Sequence, residues 1–232
     1  MQSQTDFENV SYDEELKRAK WFKDDLDKGG WDEVHRSPDA SMFWMKTFPD
    51  QEVPMKTLFL FDMPMSANKV MEMLHPSNIE IRKKWDRAFP DHEILESYPD
   101  GGYITASRIK VSWPLSDRSV VVFRPPAKEV DWFGKTAFLV IQKNAWHPSR
   151  PAGADGLVRA TNGGNFTIFV PDEKDPAGAS KMFGLRNNNY NGNLPKNGRC
   201  MRFIQSRKVP NAFNLLREGI IEGNNKYFNN DD

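Results

Sequence analysis

The sequence predicts an α+β domain in which one antiparallel sheet takes up most of the chain and the helices stand apart from it. Three observations lead there. Candidate strands follow one another through turns too short to hold a crossover helix, so neighbours run antiparallel. Two short helices interrupt the strand order once, after the third strand. A long amphipathic helix, Pro195 to Phe228, closes the chain with Cys200, Met201, Ile204, Ala212, Leu215, Leu216 and Ile220 on one face.

The elements follow in order. Tyr12, Leu16, Ala19, Phe22 and Leu26 recur at helical spacing, Ser11 with Glu14 forms a capping box, and Gly29-Gly30 stops the helix after Lys28. Trp31 to Arg36 and Ser41 to Phe48 read as strands around the Ser37-Pro38-Asp39 turn, and Thr57 to Met63 as a third, with Phe59 and Phe61 on one face. Ser66 caps a helix to His75 whose stripe is Ala67, Val70, Met71 and Leu74. Ile79 to Phe89 is a second helix, with Ile81, Trp85, Ala88 and Phe89 inward. Further strands are expected at His92–Tyr98, Tyr103–Trp113, Arg118–Arg124, Thr136–Trp146, Leu157–Thr161, Phe166–Val170 and Lys181–Asn188. Pro210 is expected to kink the last helix. No linker divides the chain: residues 1–30 are an N-terminal helical segment of one domain with residues 31–228, and 229–232 are a disordered tail.

With 232 residues, the chain can bury roughly 70–75% of the surface it exposes when unfolded. Lys plus Arg and Asp plus Glu are both 32, a balance that argues against nucleic acid as partner. One cysteine, Cys200, cannot form an intrachain disulfide and fits a reducing compartment. Apolar runs reach about five residues against the ~18 of a spanning helix, and no targeting segment is visible. A soluble, cytoplasmic protein is expected. Sixteen Phe, seven Trp and ten Met in a chain of mean hydropathy −0.68 concentrate apolar bulk in one core or one cavity wall.

Catalytic patterns are missing. His35, His75, His92 and His147 lack metal-ligand spacing, and no nucleophile elbow, P-loop or dinucleotide glycine pattern occurs. Neither a metal nor a cofactor is expected. Three other signals stand out. Tyr103, Thr105, Ser107, Ile109, Val111 and Trp113 share one face of a strand, and the two hydroxyls suit either a core strand or the wall of an amphipathic cavity. Arg82 and Asp86, four apart on a helix, flank its apolar stripe and can pair. Lys196, Arg199, Arg202, Arg207 and Lys208 meet no carboxylate while Met201, Phe203 and Ile204 interleave, a pattern suited to an anionic membrane or to a solvated helix face.

At these residues the chain resembles the START domain family of lipid-transfer modules. Arg82-Lys83-Lys84-Trp85-Asp86 is similar to its R-x-x-W-D motif, and Val111 to Arg118 to the segment ending in P-x-S-x-R-D, with Arg118-Ser119 in place of Arg-Asp. His147-Pro148 with Gly156-Leu157-Val158-Arg159, and Gly192-Asn193-Leu194-Pro195, resemble two later motifs. Val209-Pro210-Asn211 and its helix are most similar to the phosphatidylcholine-transfer member. The resemblance implies a helix-grip fold, with a curved antiparallel sheet around the C-terminal helix and an internal lipid cavity. It places Arg82 at a lipid phosphate with Asp86 beside it, and Trp113 to Ser116 on a loop that closes the tunnel mouth; together with the strand and basic-helix patterns, Tyr103, Ser107, Trp113 and Val120 are expected along the lipid, and Trp113, Pro114, Leu115, Met201 and Phe203 at a lid that meets the membrane. The positions that match choline-caging aromatics are Ser107, Val120 and Gly163, which cannot form a cation–π cage.

The expectation is a non-enzymatic monomer, peripheral to membranes, that binds one lipid against Phe, Met and Trp side chains, probes no nucleic acid, and transfers a phospholipid. One alternative is an enzyme or sensor acting on a sterol, polyketide or carotenoid in the same cavity, which a cavity-facing histidine would favour. Another is a scaffold that binds proteins through exposed Trp21, Trp31 and Trp132.

Overall fold

A computed structural model describes residues 10–38, 41–87, 91–110, 116–192 and 199–228. Helix α1 (Tyr12–Asp27) precedes β1 (Asp32–Arg36), β2 (Ser41–Thr47) and β3 (Met55–Met63); α2 (Ala67–Met73), a 3-10 turn (Pro76–Asn78) and α3 (Ile79–Trp85) follow. Next come β4 (Asp91–Ser97), β5 (Tyr103–Ile109), β6 (Arg118–Arg124), β7 (Lys128–Trp132), β8 (Lys135–Asn144), β9 (Val158–Arg159), β10 (Thr161–Asn162), β11 (Asn165–Pro171), β12 (Ser180–Arg186) and β13 (Asn188–Asn189). The chain ends in α4 (Arg199–Phe203), a π-helical turn (Ile204–Lys208) and α5 (Val209–Tyr227).

The sheet runs in the order β1-β2-β3-β12-β11-β8-β6-β5-β4, with each neighbouring pair antiparallel. Strand β8 bends it. Its first half pairs with β7, whereas only Asn144 and Lys143 reach Val122 and Phe123 of β6. β7 is absent from the sequence reading, although Val130 and Trp132 alternate before a Phe133-Gly134 turn with both residues at positive φ (53° and 81°). The expected strand Leu157–Thr161 is divided, β9 running parallel to β6 and β10 pairing with β13.

Alternation sends the two sets of side chains to different partners. On the inner face Phe59, Phe61 and Met63 of β3, Val140, Phe169 and Met182 pack with Val209, Phe213, Leu216 and Ile220 of the last helix. On the outer face Leu58, Leu139, Ile141, Phe166, Ile168, Phe183 and Leu185 receive Ala19 and Phe22 of α1. Both sides of the central strands are therefore covered, which is why they read as nearly continuous apolar runs. The curved sheet wraps α5: this is the helix-grip arrangement. Trp132, expected to be exposed, is buried in the outer cluster because β7 continues the sheet beneath it, while Trp21 is 48% exposed.

Pro210 does not kink the last helix at its own position. It lies in the first turn of α5, and the missing amide is absorbed by the preceding π turn, where Val209 N–H reaches the Ile204 carbonyl. Helix α3 stops at Trp85, before the expected Phe89; residues 88–90 lie outside the described segments. Trp85 is held in a notch that two glycines cut in α5. A Cβ at Gly223 would lie 2.7 Å from its indole Cγ and Cδ1, and one at Gly219 would lie 3.0 Å from its carbonyl oxygen.

Gly223→Ala gains about 1 kcal/mol of helix propensity. The clash with a buried indole, worth about 1–3 kcal/mol, opposes it. Urea unfolding is expected to give a net destabilisation of up to about 2 kcal/mol; a more stable variant would show that the notch does not constrain α3.

Candidate functional site

The inner face of the sheet, α3 and the last helix enclose a cavity of about 360 Å³. The period-two rule names its wall. Thr105, Ser107 and Ile109 come from β5, Val120, Val122 and Arg124 from β6, Val140 and Gln142 from β8, Thr167 and Phe169 from β11, and Met182 and Arg186 from β12. Leu74, Ile79 and Arg82 close one side, and Ile204, Lys208, Val209, Phe213 and Leu216 the other.

Arg82 reaches the cavity from α3 and is held from behind. Its Nε donates to Asp86 Oδ2 at 2.8 Å, and the Asp86 side chain has no exposure. His92 of β4 lies beyond, with Nε2 3.5 Å from the same oxygen and Nδ1 2.8 Å from Ser107 Oγ. Burial raises the Asp86 carboxyl, but the hydrogen bond from His92 and the charge and hydrogen bond of Arg82 outweigh it and hold the group below its ordinary value. Burial, then the Arg82 charge, push His92 down to about 4. A neutral ring with its proton on Nε2 satisfies both neighbours, donating towards Asp86 and accepting the Ser107 hydroxyl. Two histidines line the cavity, the feature that would favour catalysis: His75, engaged by Ser77 Oγ at 2.7 Å, and the buried His92. So weak a base as His92 is poorly matched to general-base work near neutrality, and Asp86 is already engaged by Arg82. The array positions Arg82.

Arg87, Arg124 and Arg186, which the sequence reading did not single out, also line the cavity, and the last two lie deep in it. Arg124 donates to the Leu74 carbonyl at 2.6 Å, and Arg186 lies 4.7 Å and 5.1 Å from the ring centres of Phe213 and Phe59. Burial lowers both to about 10, with the Arg82 charge adding to the effect, so both stay protonated at neutral pH. Their signal was available: Val120, Val122, Arg124 and Met182, Gly184, Arg186 each keep step on one strand face.

The remaining expected residues divide. Ser107 and Val120 line the cavity. Asp86 does not; it stands behind Arg82. Tyr103 is not among the lining residues and meets His75 edge-on at 5.4 Å. Gly163 borders a separate depression beside Lys56 and Asn187. Met201 is 4% exposed and packs with Met45, Met55 and Tyr190, so it faces inward and not towards a membrane, whereas Phe203 is 56% exposed. Trp113, Pro114 and Leu115 lie outside the described residues, as do Asn193, Leu194 and Pro195. The apolar wall holds Phe and Met but, among described residues, no Trp.

The model of the START domain matches residues 11–217, most of the chain. The chain belongs to the START domain family. A crystal structure of human STARD10 superposes with a TM-score of 0.71 at 18% identity, covering 94% of this chain and 84% of that one. Human StAR-related lipid transfer protein 5 gives 0.68 at 18%, covering 90% and 96%, and a STAR-related lipid transfer protein fragment from Xanthomonas axonopodis gives 0.61 at 15%, covering 84% and 99%. At these identities the likeness is one of fold. No curated protein sequence gives a significant match.

The buried histidine makes the START fold sensitive to acid. The unfolded chain takes up a proton on His92 near pH 6.5, the folded protein only near 4. Between those values the unfolded state binds more protons, so stability falls as pH falls, by about 3 kcal/mol in total. Asp86, depressed in the fold, adds a loss at still lower pH as it is protonated. His92→Gln keeps an acceptor for Ser107 and a donor for Asp86. Urea unfolding across this range is expected to show the acid loss in the wild type and a flatter profile in His92→Gln; parallel profiles would remove His92 as its origin.

Proposed function

We propose that the protein binds a single lipid, a phospholipid, in this cavity and carries it between membranes without catalysing a reaction. One observation carries the reading: the Arg82 guanidinium, backed by a fully buried carboxylate, faces a cavity whose wall also carries the apolar side chains of Val140, Phe169, Met182, Phe213 and Leu216. The phosphate would sit at Arg82 with charge-assisted hydrogen bonds. The acyl part would lie against Val140, Phe169, Met182, Phe213 and Leu216. Burying chain surface at about 25 cal/mol per Å² retains a lipid readily, so release depends on opening the cavity at a membrane. The family membership and the likeness to lipid-transfer folds support this reading.

A two-chain phospholipid is larger than the cavity, which lies at the small end of the ~300–1,000 Å³ of ligand pockets. Loading therefore involves outward movement of the last helix at its π turn. That segment bears the membrane-facing features: exposed Phe203, with Arg199, Arg202, Arg207 and Lys208 exposed around it. Each basic residue close to an anionic surface adds about 1 kcal/mol of attraction. No described helix is long and apolar enough to cross a membrane, and the protein would act at the cytoplasmic surface as a peripheral monomer.

Arg82→Gln is expected to weaken equilibrium binding of a fluorescent phospholipid by about tenfold to a hundredfold, the worth of a hydrogen bond to a charged group; unchanged affinity would sink the phosphate role. Phe203→Glu leaves the cavity intact and is expected to slow transfer between donor and acceptor vesicles while preserving that affinity. Equal transfer rates would move the docking surface elsewhere.

A further inference from the structure

The residues that line the cavity carry a charge imbalance that a zwitterionic head group does not answer. Arg82, Arg87, Lys110, Arg124, Arg186 and Lys208 all border it, and no Asp or Glu is among the described lining residues. Arg87 pairs with Glu222 at 2.9 Å, and Lys110 and Lys208 are exposed. Arg82, Arg124 and Arg186 remain inside. Asp86 offsets one of them from behind. Arg124 has a backbone carbonyl. Arg186 has the faces of Phe59 and Phe213, and no carboxylate within ion-pair distance among the described residues. Phe59 is itself fixed, because Gly184 lacks the Cβ that would lie 2.4 Å from its ring. The guanidinium packs against this stacked pair of rings, whose centres are 5.1 Å apart, at the cavity wall, where its planar fork of N–H donors suits phosphate oxygens.

We propose that the lipid taken by this cavity carries a net negative head group, held by Arg82 together with Arg124 and Arg186, and that Arg186 is the residue that sets this preference. The inference rests on the lipid-binding reading above and deepens it. A buried cation without a counter-charge is costly, and a head group of net charge −1 or −2 removes that cost for the inner cluster, whose formal charge including Asp86 is about +2. A choline or ethanolamine head brings its own cation into the same field. Ser107 and Val120 offer no aromatic face or carboxylate to receive it. Thr105, Ser107, Gln142, Thr167 and Tyr190 supply neutral hydrogen-bonding groups around the same space. Desolvation depresses Arg124 and Arg186, and the charge of Arg82 adds to it, so the cations on this wall feel one another's field.

The test is native mass spectrometry of the full-length protein after incubation with vesicles holding equal amounts of phosphatidylcholine, phosphatidylethanolamine, phosphatidylserine, phosphatidylglycerol and phosphatidic acid. One-to-one adducts enriched about tenfold or more in the acidic lipids are expected, and Arg186→Gln is expected to lose that enrichment while still carrying lipid. Adducts that follow the vesicle composition, or favour phosphatidylcholine, would overturn the charge selection and leave lipid binding standing. No lipid adduct of any kind would overturn both readings. Should Arg186→Gln fail to fold, the wild-type enrichment still decides, and Arg186→Lys, which keeps the charge but not the fork, is expected to retain part of it. Incubation with inorganic phosphate alone separates the two sources of this chemistry. Protein that holds phosphate and then refuses acidic lipid would assign the cluster to a soluble anion and contradict the proposal.

Discussion

Guanidinium groups taken out of water need an answering charge, and the wall of this cavity does not provide it. Three arginines on α3, β6 and β12 converge on one space, and the carboxylate nearest to them, Asp86, is committed to the back of one. The fold therefore carries an electrostatic cost at its centre, which a bound anion relieves. The same cost explains why the surrounding groups are so tightly engaged. Arg124 takes a backbone carbonyl, Arg186 two aromatic faces, and His92 gives up its charge.

The scaffold that sustains this is ordinary hydrophobic packing applied twice. The central strands bury both faces, one under α1 and one under α5, so their positions are fixed without help from the polar cluster. Small residues then place the polar parts. Gly219 and Gly223 admit Trp85, which sets α3 and with it Arg82 and Asp86; Gly184 admits Phe59, which sets Arg186. At the far side Arg118, buried on β6, donates to the Tyr190 carbonyl at 2.6 Å and to the Ser116 hydroxyl at 2.9 Å. It ties Ser116, ahead of β6, to Tyr190, just after β13. Next to Arg118, Ser119 accepts from Arg159 Nε at 3.0 Å.

Much of the architecture was legible because periodicity reports burial. Ser11 and Ser66 cap the helices they were read to cap, and β6 runs from Arg118 to Arg124 as its turns imply. Boundaries failed where tertiary packing overrode local pattern: at α3, which ends as soon as Trp85 is seated, and at Pro210, whose missing donor a π turn absorbs. β7 was missed because Lys128 and Glu129 mask a strand that only the hairpin with β8 reveals. Arg82 emerged from its four-residue spacing to Asp86. Arg124 and Arg186 did not, since an arginine at a strand end usually reads as a solvated terminus. Their parity with Val122 and Met182 held the information, but only the curvature of the sheet makes that face a cavity. Tyr103 has the right parity and still misses the cavity, which begins at Thr105. Met201 shows the converse, an apolar residue amid basic ones that turns inward.

The most direct test is a crystal structure of the protein loaded with the lipid it extracts from vesicles. The head-group phosphorus is expected between the Arg82 and Arg186 guanidinium groups, with the acyl part along Val140, Phe169 and Phe213. A head group beside the exposed Lys208, with hydrocarbon packed against the inner arginines, would contradict the account.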